Sequence, residues 1–122
     1  MKIILEPQES EKIFYDALCN ALVQIESSYG IFLYYEEDDY DNTREDGDCF
    51  EDVLMKMLKN GNPITIKTNG YTQDYPITIQ DVHTRVQNTP NGHLMDAILE
   101  RGDVCTYDEI LQTVFFNEVI FG

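Results

Sequence analysis

Ten carboxylates fall within YYEEDDYDNTREDGDCFED, positions 34–52, against a single cation, Arg44. Side chains of this type and density support three kinds of behaviour: coordinating a hard cation, pairing with the Lys and Arg of a macromolecule, or keeping a loop hydrated. Calcium is the most demanding, because an EF-hand loop needs oxygen ligands at its first, third and fifth positions, glycine at the sixth and a bidentate glutamate at the twelfth. With Gly47 as the glycine, Asn42, Arg44 and Asp46 take the ligand positions and Val53 takes the twelfth. A cation stands where a ligand belongs, and an apolar side chain replaces the glutamate. No metal site is expected from this segment.

Pairing with a basic macromolecule fits better. Glu36, Glu37, Asp38, Asp39 and Asp41 follow an apolar run, and Glu45 and Asp46 continue the charge. Tyr34, Tyr35 and Tyr40 are interleaved with them. Carboxylates attract Lys and Arg, and aromatic faces stack on guanidinium planes. DNA carries one charge per ~1.7 Å of axis, and this segment comes near that density. These ten residues are therefore the candidate partner-binding set. Asp48, Glu51 and Asp52 lie at a helix start, where negative charge serves the helix dipole.

Nucleophilic catalysis has few candidates. Cys105, His83 and Asp81 could form a triad, since triads assemble in space rather than in sequence. Such common residue types carry little specificity. No P-loop, GxGxxG, HExxH or GxSxG occurs, and two histidines with three dispersed cysteines lack zinc-ligand spacing. The expectation is a non-enzymatic protein with no catalytic residue, cofactor or metal.

Composition points the same way. Twenty-three acids face eight bases among 122 residues, for a formal net charge of −15. Such a surface disfavours direct contact with nucleic acid or an anionic membrane and favours a basic nucleic-acid-binding protein as partner. Cys19, Cys49 and Cys105 include no CxxC pair, which suits reduced thiols in a cytoplasmic setting. The opening MKIILEPQESEK has too short an apolar run for a secretory signal, and nothing approaches a bilayer span.

The elements that must position these residues are readable in outline. Residues 2–5 read as a short first strand. Pro7 then opens a helix whose stripe is Phe14, Leu18, Ala21, Leu22 and Ile25, ending near Gly30. Residues 31–35 favour a strand, and an acidic loop spans about 36–48. Asp48 and Glu51 form an apparent capping box for a helix bearing Phe50, Val53, Leu54, Met57 and Leu58. The repeated PITI at 63–66 and 76–79, around Asn69-Gly70, reads as a β-hairpin. A short helix follows with Val82 and Val86. Another is capped by Thr89 with Pro90 at its first position and runs to Gly102, and a last one has Thr106 and Glu109 as a capping box. The tail VIFG should dock on the body, although Phe115, Phe116, Val119, Ile120 and Phe121 could instead serve a homodimer seam or a hydrophobic anchor for a partner.

The expected fold is a single α+β domain over 1–122, in the order β-α-β-α-β-β-α-α-α. About four mainly antiparallel strands would be packed with helices. In size, acidity and lack of a catalytic signature the chain resembles, as a type, phage-encoded inhibitors of host nucleases such as anti-CRISPR and DNA-mimic anti-restriction proteins. It equally resembles acidic immunity proteins that neutralise nuclease toxins. That likeness implies an inhibitor but assigns no residue.

Overall fold

A computed structural model describes residues 2–70 and 73–122. The order is α1 (Pro7–Tyr29), β1 (Ile31–Tyr34), α2 (Glu37–Thr43), α3 (Phe50–Lys59), β2 (Ile64–Thr68), β3 (Tyr75–Ile77), α4 (Ile79–Arg85), α5 (Asn91–Ile98) and α6 (Val104–Phe116). A 3-10 turn at Val86–Asn88 follows α4. The fold is α+β: a three-stranded antiparallel sheet, ordered β1-β2-β3, with helices packed on one face.

α1 begins where Pro7 needs no N–H partner, and Glu9 accepts the Glu6 N–H at 2.9 Å. Its apolar stripe is buried from Ile13 to Ile25. The helix ends at Gly30, whose φ of 67° is the left-handed region. A Cβ there would also lie 3.0 Å from the Asn69 side chain, so glycine meets two requirements at once. α6 packs along α1, with Phe14 and Phe115 edge to face at 6.3 Å. Ile110, Leu111 and Val114 are fully buried between α1 and neighbouring helices.

In the sheet Ile31, Leu33, Ile64, Ile66 and Ile77 turn toward this core, while Phe32, Tyr34, Thr65 and Lys67 face outward. The PITI alternation sets this register: Ile64 opposes Ile77, and Leu33 opposes Ile66. Asn69 and Gly70 begin the connection, but it is longer than a two-residue turn, since Ile66 already pairs with Tyr75. Tyr71 and Thr72 of that expected turn lie outside the described residues.

Several expectations are corrected. Residues 2–5 form no strand, so the described sheet has three strands rather than four. Ile3 and Leu5 do pack on the core with Ile4 outward at 79% exposure, which is the alternation of a strand. Alternation fixes which way side chains face but does not supply a pairing edge. Here the Leu5 N–H finds the Gln87 Oε1 at 3.1 Å instead. The segment 36–48 is not a continuous loop, because α2 occupies its first half. The expected N-caps of α3, α5 and α6 are each displaced by a residue or more. Cys49, Pro90 and Asp103 flank α3, α5 and α6, with Asp52 and Thr106 as the reciprocal partners of Cys49 and Asp103. α5 ends at Ile98, and Met95 within it and Leu99 after it are exposed.

The C-terminal aromatics are core residues. Phe115 and Phe116 are buried, and Phe121 stacks on Tyr29 at 4.9 Å. Val119 and Ile120 of the same segment stay exposed. Among the described residues no helix is long and apolar enough to cross a membrane.

Candidate acidic interface

α2 carries most of the candidate set. Glu37, Asp38 and Asp39 form its first turn, with Glu36 just before it and Asp41 one turn on. Three carboxylates in a first turn complement the unpaired N–H groups there, so part of this charge has a local task. The sequence reading gave that task only to the second acidic group.

The helix is held by rings rather than by an apolar stripe. Tyr35 and Tyr40 stack at 5.3 Å, and both lie about 6 Å from Phe50 at the start of α3, at 6.1 and 6.0 Å. Burial, followed by Tyr40, Glu37 and Glu26, pushes the Tyr35 phenol above its ordinary pKa. Tyr35 and Tyr40 are therefore braces, and their faces are largely occupied within the molecule. Tyr34 is different. It is 55% exposed, and the Lys67 ammonium sits 4.5 Å from its ring centre. That contact is an intramolecular instance of the recognition chemistry expected of this surface.

Glu36, Glu37, Asp38 and Asp41 are exposed and Asp39 is partly so. None of the five takes part in an ion pair or side-chain hydrogen bond among the described residues. The cations go elsewhere. Lys12 bridges Asp16 and Glu100, Lys59 reaches Glu11, Lys67 reaches Asp74, and Arg85 and Arg101 hold Asp81 and Asp96. Beside the helix base, Tyr34, Tyr35, Glu36, Asp39, Pro63 and Thr65 line an open recess of about 210 Å³.

The second acidic group is mostly committed internally. Lys56 donates to Asp48 at 2.8 Å and to Glu45 at 3.3 Å, and Asp48 also accepts the Glu45 N–H at 3.0 Å. Lys56, then the Glu45 N–H, hold the Asp48 carboxyl below its usual range. Asp52 accepts from the Tyr15 hydroxyl at 2.7 Å and from the Cys49 N–H at 3.0 Å, and the Tyr15 bond is the larger cause of its lowered pKa. Of Glu45 and Asp46, only Asp46 remains unpaired among the described residues.

Cys105, His83 and Asp81 do not converge. His83 Nε2 lies 2.7 Å from Glu11, and Asp81 accepts the Thr78 N–H at the start of α4. The imidazole near Cys105 is His93. The two line a recess of about 210 Å³ with Tyr29, Asp108, Glu109 and the C-terminal tail. The sequence gave no signal for this meeting, because α5 and α6 are juxtaposed only by packing. His93 Nε2 lies 2.7 Å from Glu109 Oε2, and Nδ1 faces Thr106 Oγ1 at 3.4 Å. No hydrogen bond joins His93 to the Cys105 thiol among the described residues. Activating a thiol as a nucleophile needs a hydrogen bond to a base. Among the described residues no group of three His, Cys, Asp or Glu is placed to hold a metal ion.

No protein-family model matches this chain, and no curated protein or solved structure matches it significantly.

Proposed function

We propose that the protein is a non-enzymatic binding protein whose α2 face docks on the basic nucleic-acid groove of another protein and blocks it. The observation that carries this reading is the uncompensated row Glu36, Glu37, Asp38, Asp39 and Asp41 on a braced helix, while six of the eight Lys and Arg pair with carboxylates elsewhere. Ring bracing holds the carboxylates in place before the partner arrives, so less ordering entropy is lost on binding. The recess beside Glu36 and Asp39, walled by Tyr34 and Tyr35, suits an Arg or Lys head group. Long-range attraction would also raise the on-rate, most strongly at low ionic strength. An anti-restriction or anti-CRISPR inhibitor is the narrower form of this proposal and follows from the resemblance in type alone.

The test begins with capture from cell extract at low salt and elution in a salt gradient. The captured protein is identified and then challenged with duplex DNA or RNA. Occupation of the groove predicts direct competition between nucleic acid and this protein. Simultaneous binding of both would mean neutralisation at another surface, as an immunity protein would do, and would reject mimicry.

A further inference from the structure

Two cysteines thirty residues apart in sequence flank one tyrosine, Tyr15. The Tyr15 phenol lies 3.7 Å from Cys49 Sγ, at the start of α3. Cys19 is one turn on from Tyr15 along α1, the spacing at which helix side chains are neighbours. The phenol donates to Asp52 at 2.7 Å, and Asp52, followed by the neighbouring Cys49 and Cys19 thiols, raises its pKa. Both cysteines are exposed and unbridged. α1 and α3 pack against each other, so the two sulfurs belong to elements already in contact.

We propose that Cys19 and Cys49 are a reversible thiol–disulfide site, oxidised by a small neutral peroxide. The Cys49 sulfur attacks the peroxide O–O bond, forming a sulfenic acid and releasing water. The Cys19 sulfur then displaces hydroxide from that sulfur, forming the S–S bond and a second water. Two thiols and one hydrogen peroxide give one disulfide and two waters, and a thiol reductant reverses the change. The Tyr15 side chain must swing aside, which its partial exposure permits.

Charge selects the oxidant. Asp16 on α1 and Glu51 and Asp52 on α3 surround the pair, on a protein of net charge −15. An anionic disulfide such as oxidised glutathione is repelled, whereas hydrogen peroxide is not. Burial, with the carboxylates Glu51 and Asp16 adding to it, raises the Cys19 thiol above its ordinary pKa, against the nearby Tyr15 side chain. Closure is therefore faster at alkaline pH, where more of the resolving sulfur is thiolate. The resulting covalent loop contains β1 and α2 whole, although the bond can form whether or not α2 binds a partner.

The full-length protein is treated with hydrogen peroxide, alkylated without reduction and mapped by mass spectrometry. The expected product is a monomer lacking two hydrogens, with the Cys19 and Cys49 peptides linked and Cys105 still alkylated. Closure should be at least tenfold faster with hydrogen peroxide than with oxidised glutathione at equal concentration. Cys105→Ser should leave the linkage intact, and dithiothreitol should remove it. A linkage through Cys105, an intermolecular dimer, sulfinic acid without linkage, or equal rates with the two oxidants would overturn the proposal.

Discussion

At the scale of single residues, one buried amide keeps the end of the chain down. Gln112 is 1% exposed on α6, and its Oε1 accepts the N–H groups of Ile120 at 2.9 Å and Phe121 at 2.8 Å. Its Nε2 donates to Asp108 at 2.6 Å and to the Phe121 carbonyl at 3.1 Å. Gln112→Ala leaves these groups without their partner in a half-buried site and should cost about 2–3 kcal/mol. Hydrogen exchange should show amides 120 and 121 opening while the core of α6 stays protected. The docked tail was legible from its apolar residues. The device that docks it was not, because a glutamine within a helix ordinarily reads as a solvent-facing residue.

At the scale of elements, α2 is the least obvious helix and the most consequential. Seven residues with four acids have no apolar period, so the sequence reads as a loop. What makes it a helix is tertiary: Tyr40 seated between Tyr35 and Phe50. Tyr40→Ala should lower global stability by about 1 kcal/mol. It should abolish exchange protection over residues 37–43 far more than in α1. Equal loss in both would mean that the rings do not brace the helix. α1, by contrast, was legible throughout, since a long stripe, Pro7 and Gly30 all point to the same boundaries. The segment 2–5 shows the opposite limit, because facing is written in alternation while pairing depends on whether a strand edge lies alongside. The candidate interface was legible as a charge run. That its bases are paired on other elements depends on the fold.

At the scale of the molecule, charge sets the response to pH and salt. The net charge of −15 repels itself at neutrality, and the isoelectric point is near 4.1. Glu26, raised by burial, favours the folded state more as it protonates. Asp48, Asp52 and Asp103 are lowered in the fold, by Lys56, Tyr15 and the Thr106 N–H respectively. A lowered carboxyl contributes stability above its unfolded pKa of 3.8, and that contribution disappears as pH falls through the folded value. Thermal unfolding should therefore give a Tm that rises from pH 7 to about 5 and falls below about 4. Added salt should raise Tm at pH 7. A Tm that falls steadily from pH 7 downward would mean that self-repulsion is not the controlling term.

The most direct measurement sets wild type beside Glu37→Lys, Asp38→Lys, Asp39→Lys in titrations against the captured partner at several salt concentrations. Lysines in a first turn oppose the helix dipole by a fraction of a kcal/mol, so the neutral set Glu37→Gln, Asp38→Asn, Asp39→Asn is measured alongside. Wild-type affinity should fall steeply with salt, the neutral set should bind more weakly with a shallower slope, and the lysine set should not bind. All three should keep the same circular dichroism spectrum. Undiminished binding by the folded lysine variant, or a wild-type affinity indifferent to salt, would contradict the assignment of α2 as the face that meets the partner.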